Sequence, residues 1–138
     1  MKTATIALFV AFALFAFSTP SVAQVYKLKS TGFSYKVKNG DTWSRWSDWE
    51  DSGLLITIDL DKARITIFSK DTQVYNIARN EGTSHDSDGD ETLSLYCVDK
   101  KGLNCRVRLV QLHSQGGRLQ LYVDYNDIMW GYNVVSLD

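Results

Sequence analysis

Apolar residues recur at every second position through most of this chain. Phe33, Tyr35 and Val37 alternate with Ser34, Lys36 and Lys38, and Leu54, Ile56, Ile58 and Leu60 share one face opposite Thr57 and Asp59. Ile65 and Ile67 follow a short Asp61-Lys62 connection, and Tyr75 and Ile77 continue the series past a turn at 69–72. Leu119, Leu121, Val123 and Tyr125 then alternate with Arg118, Gln120, Tyr122 and Asp124, and Trp130, Tyr132 and Val134 close the chain. A period of two marks half-buried β-strands, and no segment repeats at helical spacing. With a short first strand around 26–28, the pattern predicts about nine strands. Their short, sequential connections predict an all-β antiparallel meander closed into a small barrel of eight to nine strands, with a two-sheet sandwich as the alternative.

One hairpin is specified in detail. Leu93, Leu95 and Cys97 share a face on one strand, and Cys105, Val107 and Leu109 on the next. The loop Lys100-Lys101-Gly102 sets Cys97 opposite Cys105, and its glycine suits the left-handed third position of such a turn. If the chain is exported, as its first 23 residues suggest below, this even pair of cysteines predicts a structural disulfide between Cys97 and Cys105. Directly opposed β-carbons stand about 4.5–5.5 Å apart, so closing the bond needs a modest local adjustment. The apolar phase slips from Leu109 to Val110 and Leu112, which predicts a β-bulge there.

Before the strands, Lys2, an apolar run over 4–17 and the small residues of Ser21-Val22-Ala23 follow the layout of a secretory signal peptide. The run is too short to span a bilayer, which needs roughly 20 apolar residues. Residues 1–23 are thus expected to be a leader, and 24–138 a single all-β domain in the periplasm or outside the cell. Lysines and arginines number 15 against 16 acids over the whole chain. That near balance, with no basic stripe, argues against nucleic acid as a partner. No later stretch is apolar enough to cross a membrane as a helix.

Two segments interrupt the alternation. The first, 39–53, holds Trp43, Trp46 and Trp49 at every third residue. They are expected either to plug one end of the barrel, the favoured reading, or to form an aromatic platform for a sugar ring or a small apolar ligand, with Arg45 among the polar contacts. The second, 80–91, reads as a polar loop in which Asp86, Asp88 and Asp90 stand at alternate positions. Such an array suits calcium, but Leu95 occupies the place of the bidentate acid that completes an EF-hand shell, so no bound metal is expected.

Trp43-Ser44-Arg45-Trp46-Ser47 resembles the WSXWS box of cytokine receptors, and the run to Trp49 resembles the start of thrombospondin type 1 repeats. That resemblance implies tryptophans stacked in a ladder with arginine side chains. It extends no further: the receptor box lies near the end of its domain, whereas most strands here follow it, and the repeat carries six cysteines against two. Trp46-Ser47-Asp48-Trp49, Ile56-Thr57-Ile58-Asp59-Leu60-Asp61 and Gln73-Val74-Tyr75-Asn76-Ile77, together with 97–125, resemble small exported proteins of unassigned function from Bacteroidetes, which implies a bacterial periplasmic or released protein.

Nothing in the chain points to catalysis or to a cofactor. His85 and His113 are the only histidines, no nucleophile motif accompanies them, and nothing pairs Glu50 with Asp124 as a glycosidase would require. The expected role is non-enzymatic binding of a small apolar ligand, a glycan or an envelope protein. The alternative is a structural module with a filled core and no small-molecule site.

Overall fold

The computed structural model describes residues 25–138, so the expected leader over 1–23 lies outside the described residues. In chain order the strands are β1 (Val25–Asn39), β2 (Thr42–Trp43), β3 (Glu50–Asp51), β4 (Leu55–Asp59), β5 (Arg64–Ile67), β6 (Gln73–His85), β7 (Glu91–Asp99), β8 (Asn104–Leu112), β9 (Arg118–Asp124) and β10 (Ile128–Ser136), with one 3₁₀ turn at His113–Gln115. The described residues contain no α-helix. Neighbouring strands pair antiparallel in the order β1-β4-β5-β6-β7-β8-β9-β10, and β10 pairs back onto β1. The result is a closed eight-stranded barrel, with β2 and β3 attached to β1 as extra strands.

The alternation predicts the inner face well. Ile56, Ile58, Ile65, Ile67, Leu121 and Val123 are all buried, each 4% exposed or less. They fill the barrel together with Tyr75, Leu95, Val107, Tyr132 and Val134. Burying a side chain of this size contributes about 1.5–3 kcal/mol, which makes this face the main source of stability.

Three local corrections follow from the register. The first strand is a single long element rather than two, because a bulge at Thr31 resets its phase. Val134 pairs with Ser30 and Asn133 with Gly32, so Leu28 and Phe33 both face inward although their positions differ in parity. No bulge occurs near Leu109: β8 pairs without a break on both sides. Val110 simply faces outward, opposite Thr92 and Gln120, and is buried there.

The third correction concerns the cysteines. Cys97 and Cys105 are opposed as expected, but they are free thiols. Asp99 N–H donates to Leu103 O at 2.9 Å, which makes that pair hydrogen-bonded. By alternation, the Cys97–Cys105 pair two steps away is also of the hydrogen-bonded kind, the one whose side chains stand farther apart. Pairs of that kind hold their β-carbons toward the wide end of the cross-strand range, which disfavours the roughly 3.5–4.5 Å that a bridge requires. Burial pushes the Cys97 thiol up to about 12 and the Cys105 thiol up to about 11. Both are therefore poor nucleophiles and act as small core side chains.

Candidate functional site

The upper end of the barrel is built from the β5–β6, β7–β8 and β9–β10 connections. Pairing of β4 with β1 stops at Leu55 and Lys29, whereas β1 continues to Asn39. The wall is consequently short on one side, and a pocket of about 810 Å³ opens at this mouth. Five aromatic rings line it: Phe33, Tyr75, Tyr125, Trp130 and Tyr132. Phe33 packs against Tyr132 with ring centroids 5.3 Å apart, and Tyr125 against Trp130 at 5.4 Å. Lys100, Lys101, Asp71 and Asp127 also line it.

The polar atoms in the pocket wall are mostly matched. Tyr75 hydroxyl donates to Gln73 Oε1 at 2.6 Å, and Tyr125 hydroxyl donates to Asp99 Oδ2 at 2.7 Å. Burial, joined by the Asp99 carboxylate for Tyr125, pushes both phenols far above their ordinary range, so both stay neutral donors. Trp130 differs. Its indole Nε1–H is buried with no hydrogen-bond partner in the protein. Leaving such a donor unsatisfied costs about 1–3 kcal/mol, and orphaned groups of this kind are rare in folded proteins.

Asp99 ties the mouth together. Its Oδ1 accepts from Lys101 N–H and Leu103 N–H, both at 2.9 Å, while Oδ2 takes the Tyr125 hydroxyl. The Tyr125 bond first, and then the two backbone donors, hold this carboxyl below its ordinary value of 3.8. A carboxyl lowered on folding stabilises the native state fully above its unfolded value, and that contribution is lost as pH falls through the lowered one. Stability supplied by Asp99 should thus be intact at neutral pH and be lost progressively as pH falls from about 3.8 through the lowered value. In thermal unfolding followed at about pH 7 and about pH 2.5, Asp99→Asn should show a smaller acid-induced drop in Tm than the parent chain. An equal drop would remove Asp99 from the account.

The three tryptophans of 39–53 lie elsewhere, on the outside of the barrel. Ser44 N–H donates to Val37 O at 2.7 Å, and Ser44 Oγ accepts Val37 N–H at 3.0 Å. Ser47 repeats this with Tyr35, at 2.7 and 2.9 Å. Each serine uses its hydroxyl where a strand residue uses its carbonyl, and so pins the segment along β1. Trp46 reaches past the fully buried Ser34 to Tyr122, with centroids 5.8 Å apart. Lys36 Nζ sits 5.3 Å from the Trp43 ring and 5.0 Å from that of Trp46, and the Arg108 guanidinium lies 4.6 Å from Tyr122. This is a run of rings and cations in which Trp46 and Tyr122 touch directly and Lys36, rather than Arg45, lies against both Trp43 and Trp46. Trp46 is 40% exposed and Trp49 49%, so the segment does not plug the barrel.

The polar stretch 80–91 is mostly strand. β6 runs to His85, with register shifts after Ile77 and after Asn80, and only 86–90 form the turn. Asp86, Asp88 and Asp90 do converge, with one oxygen of each within 4.8 Å of the others. Their oxygens are partly engaged: Asp86 Oδ1 accepts the N–H groups of Asp88 and Asp90, and Asp90 accepts Ser114 N–H and Oγ–H, each at 2.9 Å. Asp124 is held by Arg108 at 2.6 and 3.1 Å, and Glu50 pairs with Phe33 through β3, so neither is placed as a catalytic partner for the other.

The mouth aromatics escape sequence reasoning that looks for local clusters, because they come from three separate strands and one turn. The available signal is that Phe33, Tyr75 and Tyr132 are large rings in the inward phase close to the connections of one barrel end. No protein family model matches this chain, no characterised protein matches it in sequence, and no solved structure matches its fold.

Proposed function

We propose that this chain is an exported, non-enzymatic binding protein that takes a small, mainly apolar, ring-bearing ligand into the mouth of its barrel. The observation that carries this reading is the 810 Å³ pocket walled by five aromatic rings, a size and lining typical of small-molecule sites. The orphaned Trp130 N–H supports a ligand that brings a hydrogen-bond acceptor, once the ring shifts to present that donor. Neutral phenols in the pocket wall favour binding over chemistry. The outer wall carries Lys36, Arg79, Arg106 and Arg108 in its stacked pairs, whereas a barrel that spans a membrane presents an apolar band outward. That pattern supports a water-facing barrel.

The test is a titration with anilinonaphthalene sulfonate, a ring-bearing apolar anion, followed by fluorescence. We expect saturable binding at one site, weakened about tenfold or more by Trp130→Ala and by Tyr125→Ala and unchanged by Trp49→Ala, which corresponds to at least about 1.4 kcal/mol for each mouth ring. Circular dichroism should show the variants folded. Absence of saturable binding, or loss only in Trp49→Ala, would overturn the reading.

A second reading has its own observation. Trp46 and Trp49 are the most exposed of the indole rings, so with Trp43 and Arg45 they remain a proposed platform for a glycan on the outer wall. Oligosaccharide binding lost in Trp49→Ala and kept in Trp130→Ala would favour it.

A further inference from the structure

At the end opposite the mouth, both histidines of the chain converge on one carboxylate. His85 closes β6, Glu91 opens β7, and His113 opens the 3₁₀ turn after β8. His85 Nε2 lies 3.3 Å from Glu91 Oε2, and His113 Nε2 lies 2.6 Å from Glu91 Oε1. We propose that His85, Glu91 and His113 form a binding site for a divalent transition-metal ion of the zinc type.

The donor set is the first argument. Two imidazoles and a carboxylate suit zinc and its neighbours, whereas calcium takes oxygen donors alone. Distances are the second. In a tetrahedral shell with metal–ligand lengths near 2.0–2.2 Å, adjacent donor atoms stand about 3.3 Å apart. The His85–Glu91 separation already has that value, the His113 contact must lengthen, and the two imidazoles must draw together, because among the described residues only Asp86, Asp88 and Asp90 hold three donor atoms all within 4.8 Å of one another. The three side chains are 62%, 36% and 46% exposed, so they have room to adjust and to leave a coordination position for water.

The scaffold beneath is the third argument, because it fixes where the donors start. His85 and Glu91 are direct cross-strand partners of the β6–β7 hairpin, and Glu91 also pairs with Gln111 just before the turn that carries His113. Asp90, 8% exposed, then clamps that turn by accepting both Ser114 N–H and Ser114 Oγ–H at 2.9 Å. A buried carboxylate thus holds one imidazole at a set distance from the hairpin that bears the other, as sites built on rigid elements require.

Calorimetric titration of the full chain with Zn²⁺ tests the site, with Ca²⁺ as a parallel titrant. We expect saturation at one zinc ion per chain and no comparable response to calcium. His85→Ala and His113→Ala should each weaken zinc binding about tenfold or more, and Asp88→Asn should leave it unchanged. Co²⁺ in place of zinc should give visible absorption bands that vanish in His113→Ala. Three outcomes would overturn the proposal: no binding up to millimolar zinc, binding that survives both histidine variants, or binding lost in Asp88→Asn, which would place the ion on Asp86, Asp88 and Asp90.

Discussion

Replacing Ile65 by alanine is expected to destabilise the fold by about 2–5 kcal/mol, the usual range for truncating a large aliphatic side chain in a core. Ile65 is fully buried in β5, where it stands between Ile58 of β4 and Tyr75 of β6 in cross-strand register. Its neighbours cannot easily collapse into the space. Ile58 and Tyr75 are themselves held by strand pairing, so most of the removed volume stays as a cavity. The position also matters for closure. β5 pairs with β6 over four residues only, the shortest seam among the eight barrel strands together with that to β4. A domain of this size has about 5–15 kcal/mol in total, so one substitution takes a large share. Urea unfolding should show a lower midpoint with an unchanged slope. Hydrogen exchange should rise first in β5 and the adjoining part of β6, because that seam opens most readily. A loss below about 1 kcal/mol would mean that the site repacks, and that β5 is not a tight closing strand.

The second large effect is expected at Gly131, on the outer wall. A β-carbon there would lie 2.7 Å from Tyr122 Cε1 and 2.8 Å from Cδ1, closer than packed carbon atoms approach. Gly131 and Tyr122 are register partners on β10 and β9, and the ring lies flat across the space the glycine leaves. Tyr122 is not free to swing away. Its hydroxyl donates to Gln120 Oε1 at 2.7 Å, Arg108 lies over its ring, and Trp46 packs against it. Gly131→Ala should accordingly cost about 1–3 kcal/mol, the range for forcing extra volume into a packed site. It should also loosen Trp46 and shift the indole emission toward longer wavelengths. The diagnostic measurement is the double variant. Tyr122→Ala removes the ring, so adding Gly131→Ala to it should cost far less than in the parent chain. Simple additivity of the two would show that the ring is not the obstacle.

Much of the barrel is legible along the chain because an antiparallel strand with one buried face writes its orientation into every second residue. Ile56 and Ile58, Ile65 and Ile67, and Leu121 and Val123 are read inward by alternation and are all buried. The hairpin at 99–103 is legible for a local reason as well: Gly102 adopts φ +86°, which its lack of a side chain permits. Legibility fails where the rule of two is interrupted. The bulge at Thr31 makes one strand look like two, and Val110 imitates a phase change because an outward position happens to be buried. The cysteines fail differently. Their opposition is readable, but the kind of pair they form depends on the hydrogen-bond alternation fixed at Asp99 and Leu103.

Function follows the same division. Strand content, the identity of the inward face and the turn at 99–103 were determined by the sequence alone, because each rests on interactions between residues close in the chain or on a strict two-residue period. The tertiary structure alone decided what the aromatic residues do. The closely spaced tryptophans, the most conspicuous feature along the chain, lie on the outer wall because Ser44 and Ser47 pin them to β1. The mouth is instead assembled from Phe33, Tyr75, Tyr125, Trp130 and Tyr132, which become neighbours only when the barrel closes. The convergence of His85 and His113 on Glu91 is likewise a matter of register, set by the pairing of β6, β7 and β8. The physical reason is distance along the chain: periodicity records which way a side chain points, and only strand order and register determine what it meets.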